Sequence, residues 1–320
     1  GADCVNDNDC DRGSVCSTDG NCEANVPGGA CTVDANCITG EICDDGTCFE
    51  LGPNGCIASD LMIVLDRTGS MAQKPDGTLP SNDSAGYMQS KWAIAVASIE
   101  AVTASLQDGV RFGLSLYPRD LDDFGGAGDC SNIDTWVEQY PPDESDNPEC
   151  EEGELAVSPQ LNAATSIDQF LTIESTGLCR STPIGSGLDT AEAELANTAT
   201  ANRTQFVLLI TDGDDTCNFN NAMNAAKALA ADSINTYVVG FDGSGGNGIN
   251  EDQLNDLACA GGTAPNFMDN CEMNNGGFEA LPANERVDSQ LFLLAEDASS
   301  LQTTLENIGS EICCNCGSID

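Results

Sequence analysis

An aspartate and two hydroxyl residues stand at alternate positions in the run Asp66-Arg67-Thr68-Gly69-Ser70. All three side chains offer hard oxygen donors, a set that suits Mg²⁺, Mn²⁺ or Ca²⁺ rather than zinc or copper. A plainer use exists for the same residues, since Asp66 and Ser70 can also cap the turn that follows. The chain contains no His, so a His-containing catalytic triad and a His-ligated metal are both excluded.

The element that must position this loop precedes it directly. Leu61-Met62-Ile63-Val64-Leu65 is an unbroken apolar run, which reads as a buried parallel strand. Ligands of open α/β sheets bind at the carboxyl ends of the strands, so the three oxygens stand where such a fold places its site. The pattern D-x-T-x-S resembles the first loop of the metal-ion-dependent adhesion site of von Willebrand factor A (vWA) domains, with Thr68 where that family usually has Ser. The resemblance implies two further loops, and both follow in order. Arg180-Ser181-Thr182-Pro183-Ile184-Gly185 is similar to the second, with Thr182 as the ligand. Ile210-Thr211-Asp212-Gly213, after the apolar strand Phe206–Ile210, is similar to the third, with Asp212 as the ligand.

The implied site is therefore Asp66, Thr68, Ser70, Thr182 and Asp212 around one divalent cation, Mg²⁺ first and Mn²⁺ or Ca²⁺ next. By the same resemblance Ser70, Thr68 and at times Thr182 bind the ion directly through their hydroxyls, and the two carboxylates bind directly or through water. Two carboxylates leave a divalent ion electrophilic, so its open position is expected to take an Asp or Glu carboxylate from a protein ligand or from a neighbouring copy of the chain. Asp214 and Asp215 follow the third loop. They are read either as part of a second cation site or, more simply, as solvated acids on its rim, and the simpler reading is preferred.

The composition bounds the function further. Among 320 residues, 10 are Lys or Arg and 53 are Asp or Glu, a net charge of −43. Phosphates would be repelled, so nucleic acid is excluded as a natural partner, and anionic membrane surfaces are disfavoured. Most of these acids are expected to serve solubility in a salty or extracellular medium. Eighteen Cys point to an oxidising compartment. No apolar stretch reaches 18 residues, so no direct membrane insertion is expected. The chain is read as a secreted or cell-surface protein, processed to a mature form, and as bacterial. Hydrolysis without His would need paired carboxylates or two metals. No constellation suggests either, so the expectation is a binding protein, not an enzyme.

The expected fold class is α/β, a doubly wound, mostly parallel sheet flanked by helices (vWA/Rossmann-like), with a small disulfide-rich N-terminal module. Residues 1–50 form that module. Cys4, Cys10, Cys16 and Cys22 are evenly spaced, and Cys31, Cys37, Cys43 and Cys48 repeat the pattern with one residue fewer in the last gap. Each unit is too small for a core, so disulfides must hold it. Four Cys allow three pairings, and spacing does not choose among them. Residues 51–56 read as a linker. Residues 57–316 read as the vWA-like domain, with insertions at about 119–153 and 265–288.

Within that domain the apolar periodicities predict helices over 88–106, 160–171, 184–197, 221–231, 251–258 and 299–312. Strands are predicted over 61–65, 110–117, 206–210, 234–241 and 290–295, with an edge strand at 155–157. Cys130 and Cys150 are expected to close the first insertion, and Cys259 and Cys271 the second. Cys179 and Cys217 flank the second and third loops implied by the resemblance and are expected to be bridged. Cys56 is expected to bond one of Cys313, Cys314 and Cys316. The functional expectation is an adhesin that recognises a protein through a divalent cation. The alternative is a structural subunit of an extracellular filament or appendage.

Overall fold

The computed structural model describes residues 4–6, 9–31, 34–44, 47–51, 57–81, 84–119, 150, 153–171, 181–200, 203–242 and 249–313. The N-terminal repeats form two small hairpins. Strands β1 (Ser14–Cys16) and β2 (Cys22–Ala24) pair antiparallel, as do β3 (Glu41–Asp44) and β4 (Thr47–Glu50). Disulfides join first to third and second to fourth Cys in each unit: Cys4–Cys16, Cys10–Cys22, Cys31–Cys43 and Cys37–Cys48. This interlocked pairing is the one that spacing alone left open. Each bond closes a loop of 11 or 12 residues, worth roughly 3 kcal/mol of unfolded-chain entropy. The core of the second unit is correspondingly slight, consisting of Cys31, Cys37 and Cys48 with Cys43 against them.

The α/β body is held differently. Its strands are β5 (Ser59–Asp66), β6 (Val110–Tyr117), β7 (Glu154–Gln160), β8 (Gln205–Thr211), β9 (Asn235–Phe241) and, after a hairpin of β10 (Cys271–Asn274) with β11 (Gly277–Ala280), β12 (Leu293–Ala295). Among the described residues the main sheet runs β12-β9-β8-β5-β6-β7. All pairings are parallel except β6 with β7. The helices are α1 (Ser84–Tyr87), α2 (Lys91–Leu106), α3 (Ala164–Leu171), α4 (Ile184–Thr198), α5 (Phe219–Ala231), α6 (Glu251–Ala260), α7 (Phe267–Asn270) and α8 (Ala298–Ile312).

Strand β5 is paired on both edges, by β6 and β8, and helices pack on both its faces, so alternate residues feed two cores. Leu61, Ile63 and Leu65 join Trp92, Val96, Ile99, Leu301 and Leu305 on one side. Met62 and Val64 join Ile184, Leu188, Leu209, Ala226 and Leu257 on the other. Such side chains contribute about 1.5–3 kcal/mol each when fully buried. Helices α2 and α8 approach so closely that a Cβ on Gly309 would clash with Leu106 Cδ1.

Several boundaries differ from the sequence expectation. Helix α2 begins at Lys91 rather than 88, because the Ser90 hydroxyl accepts the Ala93 N–H and caps it there. The edge strand extends to Gln160, which postpones α3 to Ala164, with Asn162 at φ 57° making the turn between them. Pro159 fits this strand because an edge position leaves one side of the backbone unpaired. The segment 265–288 is structured, holding α7 and the β10–β11 hairpin, and Cys259–Cys271 ties it to α6 as expected. No helix among the described residues is long and apolar enough to cross a membrane. Most of the first insertion lies outside the described residues, as do Cys56, Cys130, Cys179, Cys314 and Cys316.

The pairing around the two insertions needs correction. Cys217 bonds Cys150, so neither the expected Cys179–Cys217 nor the expected Cys130–Cys150 bond forms. The reason is tertiary. The Cys150 carbonyl accepts the Ser186 hydroxyl of α4 at 3.1 Å, which brings the chain entering β7 beside the loop after β8.

Candidate metal centre

Asp66 is the last residue of β5, and Asp212 follows the last residue of the adjacent strand β8. Parallel pairing therefore delivers both carboxylates to the same rim of the sheet, and each is essentially inaccessible to solvent. After Asp66 the chain turns. The Thr68 N–H donates to Asp66 Oδ1 at 2.8 Å, and a 3-10 turn over Gly69–Ala72 follows, pinned by the buried Met71. The Thr211 hydroxyl donates to Asp66 Oδ2 at 2.8 Å.

A chain of oxygens then crosses between the loops. Thr68 Oγ1 lies 2.9 Å from Ser70 Oγ, and the Ser70 hydroxyl donates to Asp212 Oδ1 at 2.7 Å. Thr182 is buried just before α4. It is tied to the third loop by two bonds with Thr216, from the Thr182 N–H to Thr216 Oγ1 at 2.9 Å and from the Thr216 N–H to the Thr182 carbonyl at 3.2 Å. Thus Thr68, Ser70 and Asp212 are in direct contact, Asp66 is joined to them through the Thr68 backbone and Thr211, and Thr182 sits on the neighbouring segment.

Asp214 and Asp215 part ways. Asp214 is exposed. Asp215 is buried and holds the loops together: its Oδ1 accepts the N–H groups of Cys217 and Asn218 at 2.9 and 2.7 Å, and its own N–H donates to Gln253 of α6 at 3.1 Å. It is therefore not the solvated rim acid that the sequence suggested. Burial pushes its pKa up, opposed by these N–H groups.

Three residues that the sequence reading passed over complete the site. Lys91, the first residue of α2, is 2% exposed, and its Nζ donates to Asp212 Oδ2 at 2.5 Å. Arg67 is also buried but turns away, to the Pro118 carbonyl at 2.7 Å and Glu154 at 2.6 Å, and so ties the first loop to β7. Tyr117 pairs with Asp66 across β5 and β6 and is fully buried. Burial, and then the charge of Asp66, pushes its hydroxyl pKa upward. The available signal for Lys91 was a lysine opening an otherwise apolar helix, in a chain with so few cations.

Asp66 shows the electrostatic state of the site. Burial first, and then the neighbouring Asp212, raise its pKa from 3.8 to about 7. It receives hydrogen bonds from Thr68 and Thr211, yet it pairs with no ammonium or guanidinium among the described residues. A buried carboxylate in this position is costly unless a cation meets it. The donor set facing it is all oxygen. The residues present therefore fit a hard divalent cation.

Comparison with known proteins bears on the fold. The von Willebrand factor type A domain model matches residues 161–277, and a model described as "Domain of unknown function (DUF7107)" matches residues 3–50. The first match contains Thr182 and Asp212. Asp66, Thr68 and Ser70 lie before it and are joined to it by the bonds above. The six-stranded, mostly parallel sheet with flanking helices is the von Willebrand factor type A fold, which the family model covers over residues 161–277. Protein YwmC of Bacillus subtilis is 29% identical over 205 residues, covering 64% of this chain and 74% of its own length.

Among solved structures, the PilB minor pilin of Streptococcus sanguinis superposes with a TM-score of 0.52 at 14% identity. The match covers 81% of this chain and 62% of the pilin, so the chain spans less than two thirds of that protein. The pilus adhesin SpaC of Lactobacillus rhamnosus GG gives 0.49 at 12% identity, over 83% of this chain and 32% of the adhesin. At these identities the likeness to the pilin is one of fold alone.

Proposed function

We propose that this chain is an extracellular binding protein whose vWA domain holds a divalent cation at Asp66, Thr68, Ser70, Thr182 and Asp212, and there recognises a carboxylate of a protein ligand. The observation that carries the reading is Asp66, a fully buried carboxylate with no protein cation beside it among the described residues, next to an all-oxygen donor set. When bound, a divalent cation supplies Lewis-acid attraction for an incoming anionic oxygen. The chain's own residues do the rest. Thr68 N–H and Thr211 orient Asp66, Ser70 orients Asp212, and Asp215 locks the third loop against α6. Mg²⁺ is the preferred ion, with Mn²⁺ and Ca²⁺ as alternatives. The role is one of binding rather than catalysis. The disulfides support placement outside the cytosol.

A second reading, a structural subunit of an extracellular filament, draws support from the disulfide-stapled module preceding the domain and from the fold shared with a minor pilin. Negative-stain images of the native material separate the two readings: regular fibres favour the filament, dispersed particles the adhesin.

The metal reading is tested by titrating the full chain with Mn²⁺ and comparing it with Asp66→Ala and Ser70→Ala. One site of higher affinity than the diffuse acidic background is expected in the wild type and absent from both variants. Indistinguishable titrations would sink the reading. Binding to protein-coated surfaces in Mg²⁺, in chelator, and with Asp212→Ala then tests the adhesive role.

A further inference from the structure

Lys91 is placed against ordinary helix electrostatics. It is the first residue of α2, with Ser90 as the cap. A cation there meets the positive end of the helix dipole, where an acid would be favoured. Its side chain is also buried, which is unfavourable unless the charge is paired. Helix stability therefore does not account for it. The Lys91 N–H donates to the Gln73 carbonyl at 2.8 Å, just past the first loop, and its Nζ meets Asp212.

The two oxygens of Asp212 are divided. Oδ1 accepts from Ser70 at 2.7 Å and Oδ2 from Lys91 at 2.5 Å. Oδ1 lies on the Thr68 and Ser70 side, so it is the oxygen a cation held there would use, while Oδ2 would keep the ammonium. Asp66, Asp212 and Lys91 together carry net −1, so a divalent ion brings the occupied centre to +1, where it would be neutral without the lysine. The surplus matters in a chain of net charge −43, whose overall field repels anions.

We propose that Lys91 is a specificity-determining residue of the centre. It weakens cation binding while keeping the occupied site positive, and so selects an anionic, carboxylate-bearing ligand. This inference rests on the metal reading above.

The test uses the full chain and two probes, Mn²⁺ alone and acetate. Mn²⁺ affinity is measured by calorimetry. Acetate occupancy is measured by the paramagnetic relaxation of its carbon nuclei at saturating Mn²⁺. Lys91→Met should bind Mn²⁺ at least about tenfold more tightly, and acetate relaxation should fall several-fold. Lys91→Arg, which keeps the charge, should stay within about threefold of wild type in both. Lys91→Gln carries the same readouts should the Met variant not fold. Neutral variants with unchanged or weaker Mn²⁺ affinity and undiminished acetate relaxation would overturn the proposal and leave Lys91 a structural contact. A different failure, in which wild type and Asp66→Ala titrate alike with Mn²⁺, would overturn the metal reading itself and this inference with it.

Discussion

Strand β5 carries a buried aspartate at each end of its apolar run, and the two are treated in opposite ways. Asp60 lies near the amino end. Its Oδ1 takes Arg111 at 2.9 Å with Arg203 at 3.9 Å, and its Oδ2 takes Gln205 at 3.1 Å. Asp66, at the carboxyl end, has hydroxyl and N–H donors but, among the described residues, no cation. Burial raises both pKa values. At Asp60 the arginines and Gln205 oppose the shift, while at Asp66 a second carboxylate adds to it and carries it to about 7. Asp60 is neutralised within the chain, whereas Asp66 meets no protein cation among the described residues, as the proposed metal site requires.

The comparison makes claims that measurement can break. The largest effect is expected at the structural end. Asp60→Ala should cost about 3 kcal/mol in urea unfolding with chelator present, since it leaves part-buried arginines facing an apolar residue. Asp66→Asn should act with the opposite sign, stabilising the metal-free protein by about 2 kcal/mol at pH 8, because it removes a buried charge that nothing balances. A loss of stability there would erase the contrast between the two ends.

The same contrast has a pH signature. The folded-state value of Asp66 lies above its ordinary 3.8. Its contribution to metal-free stability is thus fully present below about pH 4, is lost as pH rises to about 7, and is flat beyond. The stability gap between wild type and Asp66→Asn should accordingly close as the medium is acidified, and saturating Mg²⁺ should reduce it at pH 8. A gap that does not change with pH would show that Asp66 is already balanced.

Smaller effects concern the loops. Replacing Cys150 and Cys217 together by Ser frees the third loop from the start of β7. Mn²⁺ affinity should weaken several-fold while the sheet still unfolds cooperatively. Thr68→Ser keeps the hydroxyl that meets Ser70 and should leave Mn²⁺ affinity within about threefold.

Much of this architecture was legible beforehand, for local reasons. The run Leu61–Leu65 is apolar without alternation because both faces of β5 are covered. Helix α4 follows the second loop and β8 precedes the third, as the apolar spacing indicated. Asp60 illustrates the limit. It adjoins the same apolar run, yet its partners lie 51 and 145 residues away. The edge strand β7 was underestimated because its burial alternates only partially.

What the sequence determined by itself was the chemical type of the site and the order of the elements that carry it. Oxygen donors and hydrophobic periods are properties of neighbouring residues. The tertiary structure alone decided which groups share those donors. Lys91 reaches Asp212 across 121 positions, Ser70 reaches it across 142, and Cys217 takes Cys150 from 67 residues upstream. Such partners are chosen by which strands lie side by side in the sheet and where each helix starts above its rim, and no local pattern in the chain records that choice.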